Sequence, residues 1–436
     1  MPFSTAPLRR PHALWLSPRF WRRRVTFWAG ALAVGVVSVG FAKLATLAQA
    51  LFDHATGISP WLALLITPLG FVASAWLCRR VFPGAQGSGI PQAIAARRFR
   101  DAETRNKLLS LRLAAGKVAL TVLGLASGAS VGREGPTVQV GASIMLQVAR
   151  WGGGTGRERG LILAGSAAGI AAAFNTPLAG IVFAIEEMSR TYEARTSGLV
   201  LTTVILAGLA SLGITGNYSY FGVTTASLTG LDDWLALAAC GIGGGTLGAI
   251  FSRLVLFGSA RIGRFTAKDP ERRSLAIAAV CGVLVAAIGL FMQGATYGTG
   301  YEQARGAVEG NILPPDFAPL KLLTTLLSSL SGIPGGIFAP SLAVGAGVGS
   351  VVVHFLPGAT PGAVVVLGMA GYFAGVVQAP ITAFVIILEM TANHTMVIPL
   401  MIAAMLGYGV SRLLCPTPLY HALAEGFERR LEAERG

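Results

Sequence analysis

Long apolar segments separated by short polar loops dominate this chain of 436 residues. The first runs from residue 25 to 52 and is interrupted only by Lys43. It is too long for the core of a signal peptide and long enough to cross a bilayer as an uncleaved helix. Only 12% of the residues are charged, about half of the share in soluble domains, which is too few to cover a water-facing surface. The sequence therefore predicts an all-α integral membrane protein.

Many of the later apolar segments contain Gly or Pro in the middle, and some are shorter than the roughly 20 residues that a spanning helix needs. They occupy residues 58–77, 108–128, 136–149, 161–188, 197–214, 234–257, 274–293, 318–330, 337–356, 363–390 and 396–414. Interrupted helices are tolerated at membrane depth only where protein or a water-filled cavity receives the freed backbone groups. This pattern is typical of transporters and channels.

The net charge of +14 comes from basic residues that cluster in the loops. No aromatic residues interleave with them to form a nucleic-acid-binding face, so we expect no nucleic-acid partner and interpret them as the positive-inside pattern of cytoplasmic loops. A basic N-terminal group predicts a cytoplasmic N-terminus: Arg9, Arg10, Arg19, Arg22, Arg23 and Arg24. The isolated cysteines, Cys78, Cys240, Cys281 and Cys415, indicate neither disulfides nor a metal site, and we expect no cofactor.

The chain contains an internal repeat. The motif GREGP begins at Gly132 and GIFAP begins 204 positions later at Gly336, while the segment from Pro177 resembles the segment from Pro380. We therefore divide the chain into two membrane repeats with a linker and two cytoplasmic ends: 1–24, 25–214, 215–233, 234–414 and 415–436.

Basic residues are distributed unequally between equivalent loops of the two repeats. Loop 97–112 is strongly basic, whereas its counterpart 301–316 holds only Arg305; Arg190 and Arg195 likewise follow the first repeat's Glu segment without a second-repeat equivalent. Opposite bias places equivalent loops on opposite faces, which predicts an inverted-topology repeat. One cluster fits this scheme poorly, because we expect it on the outer face: Arg150, Arg157 and Arg159.

Three motifs combine glycine with a proline where a helix can begin abruptly: GSGIP (87–91), GREGP (132–136) and GIFAP (336–340). Helix N-termini expose amides and a partial positive charge, so broken helices that meet at the midplane suit an anion. A tight turn or a helix-packing site is the alternative for each motif taken alone.

Together, in this order and spacing, the three motifs resemble those of the CLC family of chloride channels and chloride/proton antiporters. The segment FNTPLAGIVFAIEEM (174–188) and LEMT (388–391) add to the resemblance, which covers nearly the whole chain. It implies a CLC-type fold of two inverted repeats and a homodimer with a separate pathway in each subunit. It also implies the cell (inner) membrane, with both termini cytoplasmic. Few residues follow Tyr420, so the resemblance is to prokaryotic-type members without CBS domains.

The resemblance implies that chloride is bound by the Ser88 hydroxyl, the amides of Ile337 and Phe338, and the Tyr420 hydroxyl. Serine in this motif is similar to chloride-selective members and unlike nitrate-preferring or fluoride-specific ones. A helix N-cap remains the alternative for Ser88, and an interfacial aromatic anchor remains the alternative for Tyr420.

By the same resemblance, Glu134 is the gate that fills the outer anion site when it is ionised, with Arg133, Gly135 and Ala339 around that site. A capping acid paired with Arg133 is the alternative, although an acidic group inside a membrane is costly and usually functional.

Glu187 resembles the internal proton-transfer glutamate of the antiporters, whereas we expect Glu186 to bridge arginines at a cytoplasmic helix end. For Glu389 we expect only a structural role. Lys117 either adds positive potential to the anion pathway or extends to the interface.

The sequence thus favours a secondary active transporter that exchanges chloride for protons. A passive voltage- or pH-gated chloride channel is the alternative. A remote one is an intramembrane hydrolase, because Gly128-Ala-Ser130-Val-Gly132 fits the G-x-S-x-G pattern, but the strand, His and Asp that this motif needs have no counterpart nearby. We therefore do not expect an enzyme.

Overall fold

The computed structural model describes residues 17–152, 158–189, 194–216, 219–222 and 224–433, and helices account for most of them. Arg9, Arg10, Arg157 and Arg190, which enter the sequence analysis, lie outside the described residues. The helices are α1 (Pro18–Ile58), α2 (Ala63–Arg80), α3 (Ile90–Arg98), α4 (Ala102–Leu108), α5 (Leu111–Leu125), α6 (Glu134–Trp151), α7 (Glu158–Phe174), α8 (Pro177–Phe183), α9 (Ala194–Thr215), α10 (Leu231–Thr266), α11 (Pro270–Phe291), α12 (Tyr301–Val308), α13 (Phe317–Leu330), α14 (Phe338–Phe355), α15 (Pro361–Val377), α16 (Pro380–Thr391), α17 (Val397–Leu414) and α18 (Leu419–Ala433).

Eight helical stretches in the described part of the chain are long and apolar enough to cross a membrane. They are Trp21–Ile58, Pro60–Arg80, Ala102–Leu125, Ser197–Thr215, Leu231–Thr266, Pro270–Phe291, Phe338–Phe355 and His394–Leu414. Their outward faces expose large apolar side chains such as Leu65, Leu209 and Phe291. Such a surface is stable against lipid rather than water, so the chain is a membrane protein.

Helices α6, α7, α14 and α15 form the interior, where glycines allow their backbones to approach closely. A Cβ atom at Gly141 of α6 would overlap the carbonyl oxygen of Gly165 in α7. At the equivalent place in the second repeat, a Cβ atom at Gly345 of α14 would lie 2.8 Å from the carbonyl oxygen of Gly368 in α15. The two repeats therefore pack their central helices in the same way, by small residues at the contact.

Backbone pairing at the centre shows how the two repeats are related. Gly132 and Gly336 occupy equivalent positions, and each donates its N–H to the carbonyl oxygen of the other at 2.7 Å. This reciprocal, antiparallel exchange is what a two-fold axis between the repeats requires. With the match to known folds described below, it confirms the predicted all-helical fold of two inverted repeats with broken helices.

Two glutamates repeat this symmetry at a second place. Glu186, in the π-helical turn Ala184–Ser189 after α8, accepts the first amides of α16, from Ile381 at 3.0 Å and from Thr382 at 2.6 Å. Glu389, near the end of α16, accepts the first amides of α8, from Leu178 at 3.1 Å and from Ala179 at 2.7 Å. Each carboxylate thus caps the other repeat's helix.

This capping makes Glu186 a partner of α16, so the expectation that it bridges arginines at a cytoplasmic helix end misses its main contact. The amides at the start of α16 have no partner within their helix, and the helix N-terminus carries a partial positive charge, so they attract the Glu186 carboxylate. An ion pair with a solvated arginine at the surface stabilises a carboxylate much less. For Glu389, the contacts are structural ones, of the kind expected from the sequence.

The cluster around Arg150 lies on the same face as the basic loop 97–112, so its expected position on the outer face is wrong. Arg150 Nη1 donates to Asn106 Oδ1 at 2.6 Å, Arg159 Nη2 donates to the Arg98 carbonyl oxygen at 3.2 Å, and Arg105 forms an ion pair with Glu158. The expectation failed because α6 begins inside the protein at Glu134 rather than at a surface, which hydropathy alone does not reveal.

The end of the chain is also more structured than the division into a membrane part and a short C-terminus suggests. Helix α18 packs against α3 and buries Leu419, Tyr420, Ala424 and Leu431. It is a further broken helix that begins in the interior, and it brings Tyr420 to the centre of the molecule.

Candidate functional site

The loops that carry the three motifs meet at one place inside the protein. Gly87 donates its N–H to the Ile333 carbonyl oxygen at 3.2 Å, and Gly335 donates to the Gly87 carbonyl oxygen at 3.1 Å. The mutual pairing of Gly132 and Gly336 adds the third loop. Helices α3, α6 and α14 all begin at this junction, so their free amides converge there.

Ser88 lies just before α3 and is not the cap of that helix. Gly89 is the N-cap residue, with a φ of 102° that favours glycine, and its N–H donates to Gln92 Oε1 at 3.1 Å. The Ser88 Oγ atom is buried and makes no well-formed hydrogen bond with a described residue, although it lies near the Tyr420 hydroxyl. Because Gln92 performs the capping, the N-cap alternative for Ser88 is wrong, and its hydroxyl is available to a ligand.

Tyr420 is fully buried, so the alternative of an aromatic anchor at the membrane interface is wrong for it. Its hydroxyl faces Ser88, but neither hydroxyl has a well-formed hydrogen bond within the described part of the chain. The Tyr420 ring lies 5.9 Å from the ring of Phe338, centroid to centroid. Phe338 is in turn fixed by three further rings, those of Phe174, Phe183 and Phe373.

Ile337 and Phe338 stand at the start of α14, where backbone amides have no partner within the helix. Both residues are buried, so water does not supply that partner freely. A buried polar group without a partner costs about 1–3 kcal/mol. The amides of Ile337 and Phe338 and the hydroxyls of Ser88 and Tyr420 are all buried groups that can donate hydrogen bonds, and an anion is a ligand that accepts them.

Glu134 is the first residue of α6 and is fully buried. Its carboxylate lies between Gly132 and the start of α14: a Cβ atom at Gly132 would overlap Glu134 Oε2 and would lie 3.4 Å from the Cβ atom of Ala339. The amides of Arg133, Glu134 and Ala339 are near the carboxylate, yet neither oxygen forms a well-oriented hydrogen bond with a described residue. The carboxylate thus occupies a place that amides prepare for a negative charge.

Arg133 makes only a distant contact with Glu134, with 4.0 Å between its Nε and Oε1 of the carboxylate. Its Nη1 atom instead donates to the Ala42 carbonyl oxygen in α1 at 2.8 Å. This geometry disfavours the alternative in which Glu134 is simply an acid paired with Arg133. It leaves Arg133 as a positive charge beside the carboxylate.

Gly135 is required by the close approach of α3 to α6. A Cβ atom at this position would overlap Ser88 Oγ and would lie 2.8 Å from the Ser88 carbonyl oxygen. The absence of a side chain therefore lets the Ser88 hydroxyl reach the start of α6.

Glu187 lies in the π-helical turn after α8 and is 1% exposed. Such turns displace side chains from the regular helical positions and are frequent at functional sites. Its Oε1 atom is 3.8 Å from Nε2 of His421. The carboxylates of Glu187 and Glu134 are both close enough to the Tyr420 hydroxyl to act on it electrostatically.

Lys117 is fully buried, which makes its extension to the membrane interface wrong. Its Nζ atom donates to the Gly87 carbonyl oxygen at 2.8 Å and holds the loop that carries Ser88. Lys321, 204 positions later, holds the corresponding loop of the second repeat. Its Nζ atom donates to the carbonyl oxygens of Thr296 at 2.9 Å and Gly298 at 2.8 Å. The offset of 204 between the two lysines equals the offset between Gly132 and Gly336, so the internal repeat could have revealed Lys321 in the sequence.

Sequence reasoning also missed Gln92 and His421. Gln92 follows the GSGIP motif directly and has the spacing of a capping residue relative to Gly89, which is a readable signal. His421 follows Tyr420, but its contact with the Glu187 carbonyl oxygen joins positions 234 apart in the chain.

Ser130, the serine of the G-x-S-x-G pattern, has its hydroxyl 2.9 Å from Thr325 Oγ1, and its N–H donates to Ser328. A helix, α5, rather than a strand leads to it. These contacts give no support to a hydrolase triad.

Comparison with known proteins agrees with this architecture. The model of the voltage gated chloride channel family matches residues 69–412. The chain is 32% identical over 426 residues to the H(+)/Cl(−) exchange transporter ClcA of Citrobacter koseri, covering 92% of this chain and 88% of that protein. The chain therefore belongs to the voltage-gated chloride channel (CLC) family.

Solved structures show the same fold. A slow cyanobacterial Cl−/H+ antiporter superposes with a TM-score of 0.80 at 27% identity, covering 97% of this chain and all of the other. A CLC-type fluoride/proton antiporter superposes with a TM-score of 0.77 at 23% identity, covering 91% of this chain and 96% of the other, a likeness that speaks for the fold alone.

Proposed function

We propose that this chain is a secondary active transporter that exchanges chloride for protons. The observation that carries the proposal is a buried group of hydrogen-bond donors accompanied by two buried carboxylates, Glu134 and Glu187. The similarity to a ClcA exchange transporter and to a Cl−/H+ antiporter supports the same function. The proposed reaction moves two ions and makes or breaks no covalent bond in a substrate, so it calls for neither an enzyme activity nor a cofactor.

In this proposal chloride is held by the hydroxyls of Ser88 and Tyr420 and by the amides of Ile337 and Phe338. All four groups donate, and the N-terminal ends of α3 and α14 add partial positive charge. An outer site for the anion lies beside Arg133, Gly135 and Ala339, where the amides near Glu134 are found. These donors and the helix N-termini favour an anion as the ligand of this site.

Glu134 is the gate in this scheme. When ionised, its carboxylate competes with chloride for the amides near Ala339 and blocks the outer site. A proton removes the negative charge, so the side chain leaves those amides and chloride enters. Each opening thus requires Glu134 to bind a proton, which couples the proton flux to the chloride flux.

Glu187 is the second proton carrier in this scheme. It is buried near the basic face of the protein, whereas Glu134 lies at the start of α6 in the interior. A proton that passes between these carboxylates need not follow the path of chloride. The exchange therefore uses two routes that share Glu134.

We propose the cell (inner) membrane as the location, with both termini in the cytoplasm. The support is the basic face formed by loop 97–112 together with Arg150 and Arg159, on which α18 also lies through the contact of Arg98 with Glu428. Basic loops stay on the cytoplasmic side.

We propose a second copy of the chain as its partner, in a homodimer with a separate pathway in each subunit. Helices α9 and α17 expose large apolar side chains next to the mutually capped α8 and α16; they are Leu201 and Leu209 of α9 and Ile398 and Met405 of α17. Protein that carries one fluorophore per chain, reconstituted in nanodiscs, should show two bleaching steps per particle in single-molecule photobleaching. A predominance of single bleaching steps would contradict the dimer.

The transport proposal is tested by reconstitution into liposomes with a chloride gradient and no proton gradient. We expect chloride to flow down its gradient while protons move in the opposite direction, seen as a change of external pH that an uncoupler collapses. Chloride flux without any proton movement would contradict exchange and favour the passive channel.

A further inference from the structure

His421 links the buried carboxylate of Glu187 to the surface. It lies in the first turn of α18, directly after Tyr420, and is 9% exposed. Its Nε2 atom is 2.9 Å from the backbone carbonyl oxygen of Glu187 and 3.8 Å from Oε1 of the same residue. The imidazole therefore stands beside the carboxylate that the proposed function assigns to proton transfer.

The other ring nitrogen of His421 faces a charged pair. Nδ1 is 3.0 Å from Nη2 of Arg98, whose Nη1 atom is 2.9 Å from Oε1 of Glu428. A guanidinium group only donates, so Nδ1 accepts a hydrogen bond in this arrangement. The ring proton then resides on Nε2, which donates to the carbonyl oxygen of Glu187.

Exposure increases along this row of side chains. The side chain of Glu187 is 1% exposed, that of His421 is 11% exposed and that of Arg98 is 42% exposed. Arg98 is at the end of α3, on the basic face of the molecule. The row thus leads from a buried acid to the surface through one titratable ring.

We propose that His421 carries the proton between Glu187 and the aqueous face next to Arg98, an inference that rests on the proposed exchange function. When Arg98 turns toward Glu428 and releases Nδ1, that nitrogen takes a proton from water and the ring becomes positively charged. Nε2 then gives its proton to Oε1 of Glu187, which becomes neutral. The ring is left neutral with its proton on Nδ1, and the first state returns when water takes the Nδ1 proton and supplies one to Nε2.

The chemistry of histidine suits this position. Its ordinary pKa of about 6.5 lets it gain and lose a proton near neutral pH, which neither an arginine nor a serine does. The charged groups that face it have opposite effects: Arg98 disfavours the protonated ring, while Glu187 favours it. Arg97, the neighbour of Arg98, is held by the Met188 carbonyl oxygen.

The test compares His421→Gln with the wild type in liposomes that carry a chloride gradient. Gln retains an amide that can donate to the Glu187 carbonyl oxygen but cannot titrate. We expect chloride flux within about twofold of the wild type and proton flux reduced at least about tenfold, at the low end of general acid–base effects. The matched control is His354→Gln, at the exposed far end of α14, which should leave both fluxes unchanged.

A pH series provides a second readout that a structural role would not change. In the wild type, proton flux should show an inflection with pH that arises from the titration of His421. The inflection should be absent in His421→Gln. In Arg98→Gln it should move to higher pH, because removal of a positive charge favours the protonated ring.

The outcomes separate this proposal from the one on which it rests. A wild type without chloride-driven proton movement would overturn both. A coupled wild type with an unchanged proton flux in His421→Gln would overturn the role of His421 alone. Loss of both fluxes in His421→Gln would also overturn it, because the ring would then be needed for the fold of the site rather than for the proton.

Discussion

The two repeats share one backbone plan but differ in the side chains at its centre. Lys117 and Lys321 hold equivalent loops, and Glu186 and Glu389 cap each other's helices. Where α6 begins with Glu134, however, the equivalent α14 begins with Phe338. One helix start thus carries its own carboxylate, whereas the other offers bare amides beside an aromatic ring.

A second difference is found before α3 and α12. The Ser88 hydroxyl makes no well-formed hydrogen bond with a described residue, while the Thr299 hydroxyl, in the equivalent GTG segment, accepts a hydrogen bond from the Tyr301 amide at 3.3 Å. The comparison teaches that symmetric positions maintain the fold and asymmetric positions perform the transport. The predictions below test that division by exchanging or removing one member of each pair.

The largest effect is expected from Glu187→Gln, which removes a titratable acid at an asymmetric position. Proton flux should fall by about 100-fold or more, the range of general acid–base effects, while chloride flux persists. Paired pH and chloride electrodes on one liposome preparation measure both. Its neighbour provides the control: Glu186→Gln, at a symmetric position, should keep the coupling ratio, and equal loss in both variants would break the comparison.

Gly135→Ala should have the next largest effect, on chloride itself. The new Cβ atom would overlap Ser88 Oγ and displace a donor worth about 1–3 kcal/mol, so chloride affinity should weaken about tenfold or more. Isothermal titration of the purified protein with chloride measures this. The reverse exchange at the equivalent position, Ala339→Gly, should weaken affinity far less; similar losses at both positions would contradict the assignment of Ser88.

Tyr420→Phe should have a smaller effect, because one neutral hydroxyl is lost and the ring contact with Phe338 remains. A net hydrogen bond of about 1 kcal/mol corresponds to an affinity about fivefold weaker. Titration with chloride is again the measurement, and Tyr408→Phe is the control on the neighbouring helix α17. Unchanged chloride affinity would remove Tyr420 from the binding site.

The smallest effect is expected for the symmetric pair itself. Glu389→Gln retains one acceptor oxygen and loses the charge at the start of α8, which should cost about 1 kcal/mol of stability. The thermal unfolding midpoint in detergent should decrease, and Glu186→Gln should decrease it by a similar amount. Midpoints that differ strongly between the two variants, relative to Glu432→Gln on α18, would argue against equivalent capping.

Much of the fold was predictable because its determinants repeat along the chain. The motifs at Gly132 and Gly336 predict a repeat, and the unequal distribution of basic residues between equivalent loops predicts that the two repeats are inverted. Single-residue ambiguity was harder: the sequence could not decide between two environments for Lys117 or Ser88. The complete burial of Lys117 decides the first case, and the capping contact of Gln92 with Gly89 decides the second. Both observations depend on neighbouring residues that hydropathy does not specify.

Two features needed the three-dimensional structure. Helix α18 is amphipathic rather than apolar, so it carries no signal of a segment that enters the protein. The row from Glu187 through His421 to Arg98 joins three distant parts of the chain, and no local pattern marks it. Arg150 was misplaced for a related reason, since a helix that starts at the centre crosses only part of the membrane.

The most direct test of the account is the proton-to-chloride flux ratio of Glu134→Gln beside the wild type in identical liposomes. Gln at this position is permanently neutral and cannot compete with chloride for the amides near Ala339. We expect the wild type to move protons against their gradient and Glu134→Gln to conduct chloride with no coupled proton movement. Persistent proton coupling in Glu134→Gln would contradict the role of this carboxylate as gate and proton carrier.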